Sequence, residues 1–273
     1  MERPWNRTVI RSKPQWTLLL REQVVAAATM GRAAFSHGAR VRPTFVVHSL
    51  GRSGSTLLTD LLASHPQIEC DGEILSHPLY VTTPGRLVRD RAKLFSSKAY
   101  GFKMRPRHYA DQGISNPGAF LGGLHADGWR VLHLERRNLL RIALSWVTND
   151  QTGVVHRTFR DRRRTPRARH IPPDALLRQL ARVSHDTAVE QAALAGVPHL
   201  RLVYEDDLLR EDTRGATMNR VFEYLGLPPA PVSTRYVRLT SDRLEDFVEN
   251  HQEITAALRG TAYERFLDTS VSS

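Results

Sequence analysis

The chain alternates short β-branched, apolar runs with longer stretches whose apolar positions recur at helical spacing. Apolar runs at residues 44–48, 99–104, 130–134 and 200–204 predict strands. Residues 56–64, 138–148, 173–195 and 215–225 carry the three- and four-residue spacing of amphipathic helices. Gly196-Val197-Pro198 closes the third of these with a glycine stop and a following proline. Strand and helix in alternation predict an α/β fold, a central and mainly parallel sheet flanked by helices. Residues 1–43 read as an N-terminal arm and helix, and 44–273 as the main domain. In the arm, residues 17–35 form an amphipathic pattern interrupted by Arg21, Glu22, Gln23 and Arg32. That pattern is too polar to cross a membrane, unlike a leader peptide, and expected to pack on the domain. Residues 241–260 predict a helix ending at Gly260, followed by an aromatic tail with Tyr263 and Phe266.

The run at 44–48 breaks into Leu50-Gly51-Arg52-Ser53-Gly54-Ser55-Thr56, and the next helical pattern opens at once. A strand, a tight loop and a helix N-terminus in that order cradle anions, because the first-turn N–H groups lack partners and the helix dipole is positive there. Gly51 and Gly54 allow close backbone approach, Arg52 brings a permanent charge, and Ser53, Ser55 and Thr56 bring hydroxyls. The nucleotide-triphosphate loop G-x-x-x-x-G-K-[ST] is longer and carries a lysine that this loop lacks. The hydrolase elbow G-x-S-x-G requires glycine where Ser55 stands.

Charge sharpens that picture. Lys and Arg number 39 against 28 Asp and Glu, a formal net charge of +11, which suits polyanionic ligands. Part of the excess lies in the arginine-rich segment 156–170, which reads either as a solvated loop or as a lid over an acidic ligand. The single cysteine, Cys70, excludes an internal disulfide and fits a reducing compartment, so a cytoplasmic location is expected. A second anion element follows the run at 130–134. Arg137 stands at the strand end, and Asn138, Arg141 and Ser145 share one helix face, with Leu139, Ile142 and Trp146 on another. Arg137 and Ser145 are thereby candidates to converge on a second phosphate.

With both elements in hand, the chain resembles the sulfotransferases that use 3′-phosphoadenosine 5′-phosphosulfate. GRSGSTLL at 51–58 is similar to their 5′-phosphosulfate loop, and Arg137 with Ser145 to their 3′-phosphate pair. Tyr204-Glu205-Asp206, FEYLGLP at 222–228, LEDFVENHQEI and GTAYERFL extend the likeness over 44–267. The flavour is that of bacterial carbohydrate enzymes of the nodulation-factor type. The resemblance implies a P-loop-like sulfotransferase domain over 44–273, the phosphosulfate nucleotide as co-substrate, no metal, and a hydroxyl-bearing acceptor such as a glycan, glycolipid or secondary metabolite. No nucleic-acid partner and no transmembrane segment are expected. Acceptor specificity is expected from loops at 74–96, 105–128 and 150–172.

Sulfuryl transfer to an alcohol needs a base for the hydroxyl proton and a cation for the leaving phosphate. Glu73 is the expected base: the helix at 56–64 leaves the loop by about 13 Å, and the extended residues 67–73 return up to about 23 Å. Asp71 and Glu69 compete with it, and His108 is the best of the 12 histidines for a histidine-based alternative. Lys103, at a strand's C-terminal end, or Arg52 is expected to meet the bridging oxygen. The resemblance further implies that Tyr204, Arg238, Thr240 and Ser241 lie on the donor side. Two other classes remain open: a P-loop-like kinase or nucleotide hydrolase, and a non-enzymatic polyanion-binding protein built on residues 156–170.

Overall fold

The computed structural model describes residues 15–35, 42–95, 98–152, 168–236 and 243–267. Five strands form its centre: β1 (Thr44–Ser49), β2 (Ile68–Asp71), β3 (Ala99–Met104), β4 (Trp129–Glu135) and β5 (His199–Val203). All pair in parallel, in the order β2-β3-β1-β4-β5. The sheet is therefore wholly parallel, as the alternation of strands and helices implies. β1 is the middle strand, and the chain leaves it toward one edge and later returns to build the other. Ligands in open α/β sheets bind at the carboxyl end of such a reversal point.

Around the sheet lie α1 (Gln15–Ala34), α2 (Ser55–Ala63), α3 (Pro84–Leu94), α4 (Pro106–Asp111), α5 (Pro117–Ala126), α6 (Leu139–Thr152), α7 (Pro173–Leu194), α8 (Glu211–Tyr224) and α9 (His251–Leu258). The two-residue period of β1 divides the core between the two faces. Phe45 and Val47 pack with Leu58, Leu61 and Leu62 of α2 and with Val221 and Phe222 of α8. Val46 faces the other way, with Leu121 and Leu124 of α5 and Ala193 and Leu194 of α7. A third cluster joins α6, α7 and α9 through Ile142, Leu144, Leu180, Ile254 and Leu258. α1 packs on α3, burying Ala26, Thr29 and Ala33.

Three segments differ from expectation. Residues 74–96 and 105–128, expected as loops, hold α3, α4 and α5. Each of these helices begins with proline at its first turn, where the missing N–H costs nothing. Thr83 and Asn116 cap α3 and α5 by accepting from the N–H groups of Arg86 and Ala119. The single helix expected over 241–260 is broken. A 3-10 turn at Leu244–Asp246 gives way to a parallel bridge between Val248 and Arg169, and α9 starts only afterwards. The Asn250 side chain accepts from the Ile171 N–H and donates to the Ile171 carbonyl, both at 2.9 Å, which holds the chain extended there.

Beneath the carboxyl end of the sheet sits a buried polar cluster. His48 of β1 and His133 of β4 are paired in register, and both turn toward Glu190 of α7. Glu190 is only 2% exposed, its carboxylate oxygens 3.6 Å from His48 Nδ1 and 3.2 Å from His133 Nε2. Burial pushes its pKa up, but the two imidazoles more than offset that and hold it below the ordinary carboxylate range. His48 Nε2 is hydrogen-bonded to the Tyr109 hydroxyl at 2.8 Å, which brings α4 into the same cluster.

Register between β1 and β3 depends on one steric fit. Phe45 lies opposite Gly101, and a Cβ at Gly101 would sit 2.1 Å from the Phe45 ring. Gly101→Ala is expected to lower stability by about 1–3 kcal/mol through overpacking. Adding Phe45→Leu should recover part of that loss in urea unfolding, whereas additive losses would show that the two residues do not share the space.

Candidate functional site

The loop leaving β1 is bent by two left-handed residues. Gly54, at φ +100°, heads α2 with no side-chain cap, so the first-turn N–H groups of that helix open into the loop. Arg52, at φ 69°, is the one non-glycine residue with positive φ among the described residues. A bulky side chain in that region costs about 1–3 kcal/mol, and such strain collects at functional sites. The surroundings hold it there. Arg52 Nε donates to Ser145 Oγ at 2.8 Å, the Arg52 carbonyl accepts from Arg136 Nη1 at 3.2 Å, and Ser53 Oγ donates to the Leu50 carbonyl at 2.8 Å. Ser53 is fully buried and Ser55 nearly so, which leaves Ser53 with its hydroxyl turned into the fold.

Aromatic rings bracket the two glycines of the loop. A Cβ at Gly51 would meet Trp146 at 2.7 Å, and one at Gly54 would meet the Tyr204 ring at 2.5 Å. Arg136 also lies over the Tyr204 ring, 4.7 Å from its centre. Burial, and then the neighbouring charge of Arg136, lower the Arg52 pKa. Two guanidinium groups crowded beside uncapped N–H groups are an arrangement that a bound anion would relieve.

The opposite wall is built by the ends of β2 and β3. The Lys103 N–H donates to the Gly72 carbonyl at 3.1 Å, which extends β2 far enough to set Glu73 beside β3. Glu73 Oε1 lies 2.8 Å from Lys103 Nζ, and Oε2 lies 2.5 Å from Arg105 Nη2 and 3.5 Å from His108 Nε2. Arg105 frames both ring nitrogens of His108, its backbone N–H 3.3 Å from Nδ1 and its Nε 3.3 Å from Nε2. Burial dominates the shift of His108 and lowers its pKa, so the imidazole is neutral. Burial also raises the Glu73 pKa, but the His108 hydrogen bond and the charges of Lys103 and Arg105 outweigh it and bring it down to about 2. Arg105 reaches across to the first wall as well: its Nη1 stands 3.1 Å from where a Gly51 Cβ would be.

These positions sort the sequence-derived residues. Gly51, Arg52, Ser53, Gly54, Ser55 and Thr56 form the loop and the first turn of α2, and Glu73 and Lys103 are in direct contact across from it. Asp71 is committed elsewhere, to Arg91 at 2.6 Å and to the Tyr100 hydroxyl at 2.8 Å; Glu69 faces Lys98 at 3.5 Å. Ser145 meets Arg52 instead of Arg137, and Arg137 lies half exposed in an ion pair with Asp206. The turn that carries Arg137 is held by Glu205, which accepts from the N–H groups of Arg137 at 3.1 Å and Asn138 at 3.2 Å. Asn138 in turn caps α6 by accepting from the Arg141 N–H. Arg238, Thr240 and Ser241 lie outside the described residues, as does most of the arginine-rich segment. Sequence reasoning assigns no role to Arg105, Arg136 or Trp146. The signal available for Arg105 is its place in Arg105-Pro106-Arg107-His108, directly after a strand that ends at the anion loop.

Residues 43–117 match the family model described as "Sulfotransferase family". No curated protein matches the chain. Among solved structures, a sulfotransferase from Alicyclobacillus acidocaldarius aligns over 84% of this chain and 96% of its own, at 15% identity and a TM-score of 0.43. A mouse sulfotransferase complexed with PAP aligns over 88% of this chain and 92% of its own, at 12% identity and a TM-score of 0.41. Likenesses that distant are of outline only.

The depressed pKa of Glu73 makes a prediction about acid stability. A folded-state pKa of about 2, against an ordinary 4.5, means that the ionised carboxylate stabilises the fold fully above about pH 4.5 and loses that contribution as pH falls toward 2. Melting temperatures of wild type and Glu73→Gln should therefore differ most near neutrality and converge between those pH values. Parallel acid limbs would show that Glu73 is not held by Lys103 and Arg105.

Proposed function

We propose that the chain transfers a sulfuryl group from 3′-phosphoadenosine 5′-phosphosulfate to a hydroxyl of a carbohydrate, glycolipid or secondary metabolite. The observation that carries this reading is the facing pair of walls: a strained, cation-rimmed loop at a helix N-terminus, and within reach of it a carboxylate bound to a lysine and an arginine. The matched family model over 43–117 spans both walls, which supports the same chemistry. The loop fits a phosphosulfate better than a triphosphate, because it is short and carries Arg52 where a lysine-bearing loop would extend along further phosphates. Arg137, at the turn after β4, is the candidate for the donor's second phosphate, while Ser145 stands at the first loop against Arg52.

In this reading Glu73 is the base. At rest it is a poor one, since a carboxylate with a pKa near 2 holds a proton weakly. Its partners are what depress it, and they are the cations that an incoming sulfuryl group and bridging oxygen would attract. As Lys103 and Arg105 turn to the donor, Glu73 loses stabilisation of its charged form and its pKa rises toward a useful value. The acceptor proton then passes to Glu73 while the acceptor oxygen bonds to sulfur. The bond from sulfur to the phosphate's bridging oxygen breaks, and adenosine 3′,5′-bisphosphate leaves. Lys103 or Arg52 meets the charge on the departing oxygen, a contribution of about 3–4 kcal/mol for one preorganised donor. His108, set against both Glu73 and Arg105, keeps the carboxylate aimed during the exchange.

Adenosine 3′,5′-bisphosphate is expected to raise the melting temperature of the wild type, with Arg137→Ala and Ser145→Ala each shrinking the shift. A shift produced by ATP and Mg²⁺ but not by the bisphosphate would reject the proposal in favour of a nucleotide kinase or hydrolase. Glu73→Gln should keep the bisphosphate shift and lose turnover by about 10²–10⁴-fold in a donor-consumption assay with a panel of hydroxylic acceptors. Undiminished turnover would place the base elsewhere.

A further inference from the structure

The large apolar side chains that the described residues leave exposed gather on one face. They are Leu20, Val24, Val25 and Phe35 on or just after α1, and Tyr80 and Val81 in the loop before α3. Val24 is 60% exposed, Tyr80 74% and Phe35 82%. The loop is fastened to the helix by Gln23, which donates to the Pro78 carbonyl and accepts from the Tyr80 N–H, both at 2.8 Å. On α1, Leu20, Val24, Ala27, Ala28 and Gly31 are exposed at three- and four-residue spacing, so they form one stripe opposite the buried Ala26, Thr29 and Ala33. The helix thus packs on α3 by one apolar side and presents a second to solvent. Isolated exposed apolar residues are ordinary, but a contiguous set with a polar rim marks an interaction surface.

Charge selects the occupant. The stripe is edged by the exposed guanidinium groups of Arg21 and Arg32, and the exposed side of α1 carries no carboxylate; its one acidic residue, Glu22, is half-buried. A second copy of this chain would bring another +11 of net charge and an identical arginine edge to the same contact, which repels. An anionic lipid surface attracts both features: headgroups meet the arginines while Leu20, Val24 and Phe35 enter the acyl boundary. Tyr80, with an apolar ring and a polar hydroxyl, suits the level between them. No helix of the described residues is long and apolar enough to cross a membrane, so such contact is peripheral.

We infer that α1 and the adjoining Tyr80–Val81 loop form a docking face for anionic lipid bilayers. The inference stands apart from the sulfuryl-transfer reading, since none of its residues belongs to the loop or the carboxylate–cation cluster.

The test is cosedimentation of the full chain with phosphatidylglycerol-containing vesicles and with pure phosphatidylcholine vesicles. The wild type should bind the anionic vesicles and far less of the neutral ones, with binding weakened by added salt. Val24→Ser with Phe35→Ser removes apolar area without changing charge and should weaken binding at least about tenfold, at an unchanged melting temperature. Arg21→Gln with Arg32→Gln should weaken binding and flatten its salt dependence. Failure to bind anionic vesicles would overturn the inference. So would serine and wild-type proteins that bind alike, which would assign the attraction to basic charge elsewhere. A dimer in light scattering that the serine pair splits, without vesicle binding, would overturn it too and make the face a contact between copies.

Discussion

A carboxylate buried away from water is costly unless positive or polar groups stand beside it, and two imidazoles from neighbouring strands lie 3.6 and 3.2 Å from Glu190. His48 and His133 lie side by side in the register of β1 and β4, and each turns to the same carboxylate. One group on α7 therefore sets the relative position of the two strands just before both leave the sheet. β1 runs from His48 into the anion loop, and β4 runs from His133 into the turn of Arg136 and Arg137. Tyr109 adds α4, whose first turn carries His108. Three of the segments around the candidate site, β1, β4 and α4, thus meet at one buried cluster beneath it.

The site sets a carboxylate ringed by cations opposite a loop flanked by two guanidinium groups. Around Glu73, a lysine, an arginine and a neutral imidazole satisfy one carboxylate. Around Arg52, two guanidinium groups, a serine hydroxyl and the head of α2 stand together, with Glu205 4.0 Å from Arg136. Arg105 links the two regions, paired with Glu73 and standing beside Gly51. An anion entering between the walls would meet the loop's guanidinium groups on one side and the carboxylate's cations on the other.

Much of this was readable in the chain. β3 begins and ends where its apolar run does, and β1, β4 and β5 differ by a residue or two, because β-branched runs buried on both faces leave little choice of state; β2, short and polar, was read only as an extended return. Element lengths allowed Glu73 to return to the loop but did not choose it over Asp71 or Glu69. α3, α4 and α5 escaped notice because they are short and their starts are marked by proline, which also marks turns. The C-terminal break was invisible for a different reason: it depends on Arg169 and Ile171, remote in sequence from Val248 and Asn250. Arg105 belongs to the same class. Its residue type and its place after a strand were plain, but its contact with Glu73 depends on the parallel pairing of β2 and β3.

The two glycines of the anion loop began as residues that let a phosphate come close. Their neighbours give them another office. Trp146 and Tyr204 lie against Gly51 and Gly54 at distances where any side chain would collide, so the loop is clamped between two rings like a strip in a mould. Its curvature is cast before a ligand arrives. Whatever anion enters meets a finished shape, and the ordering cost that binding would otherwise carry has been met during folding.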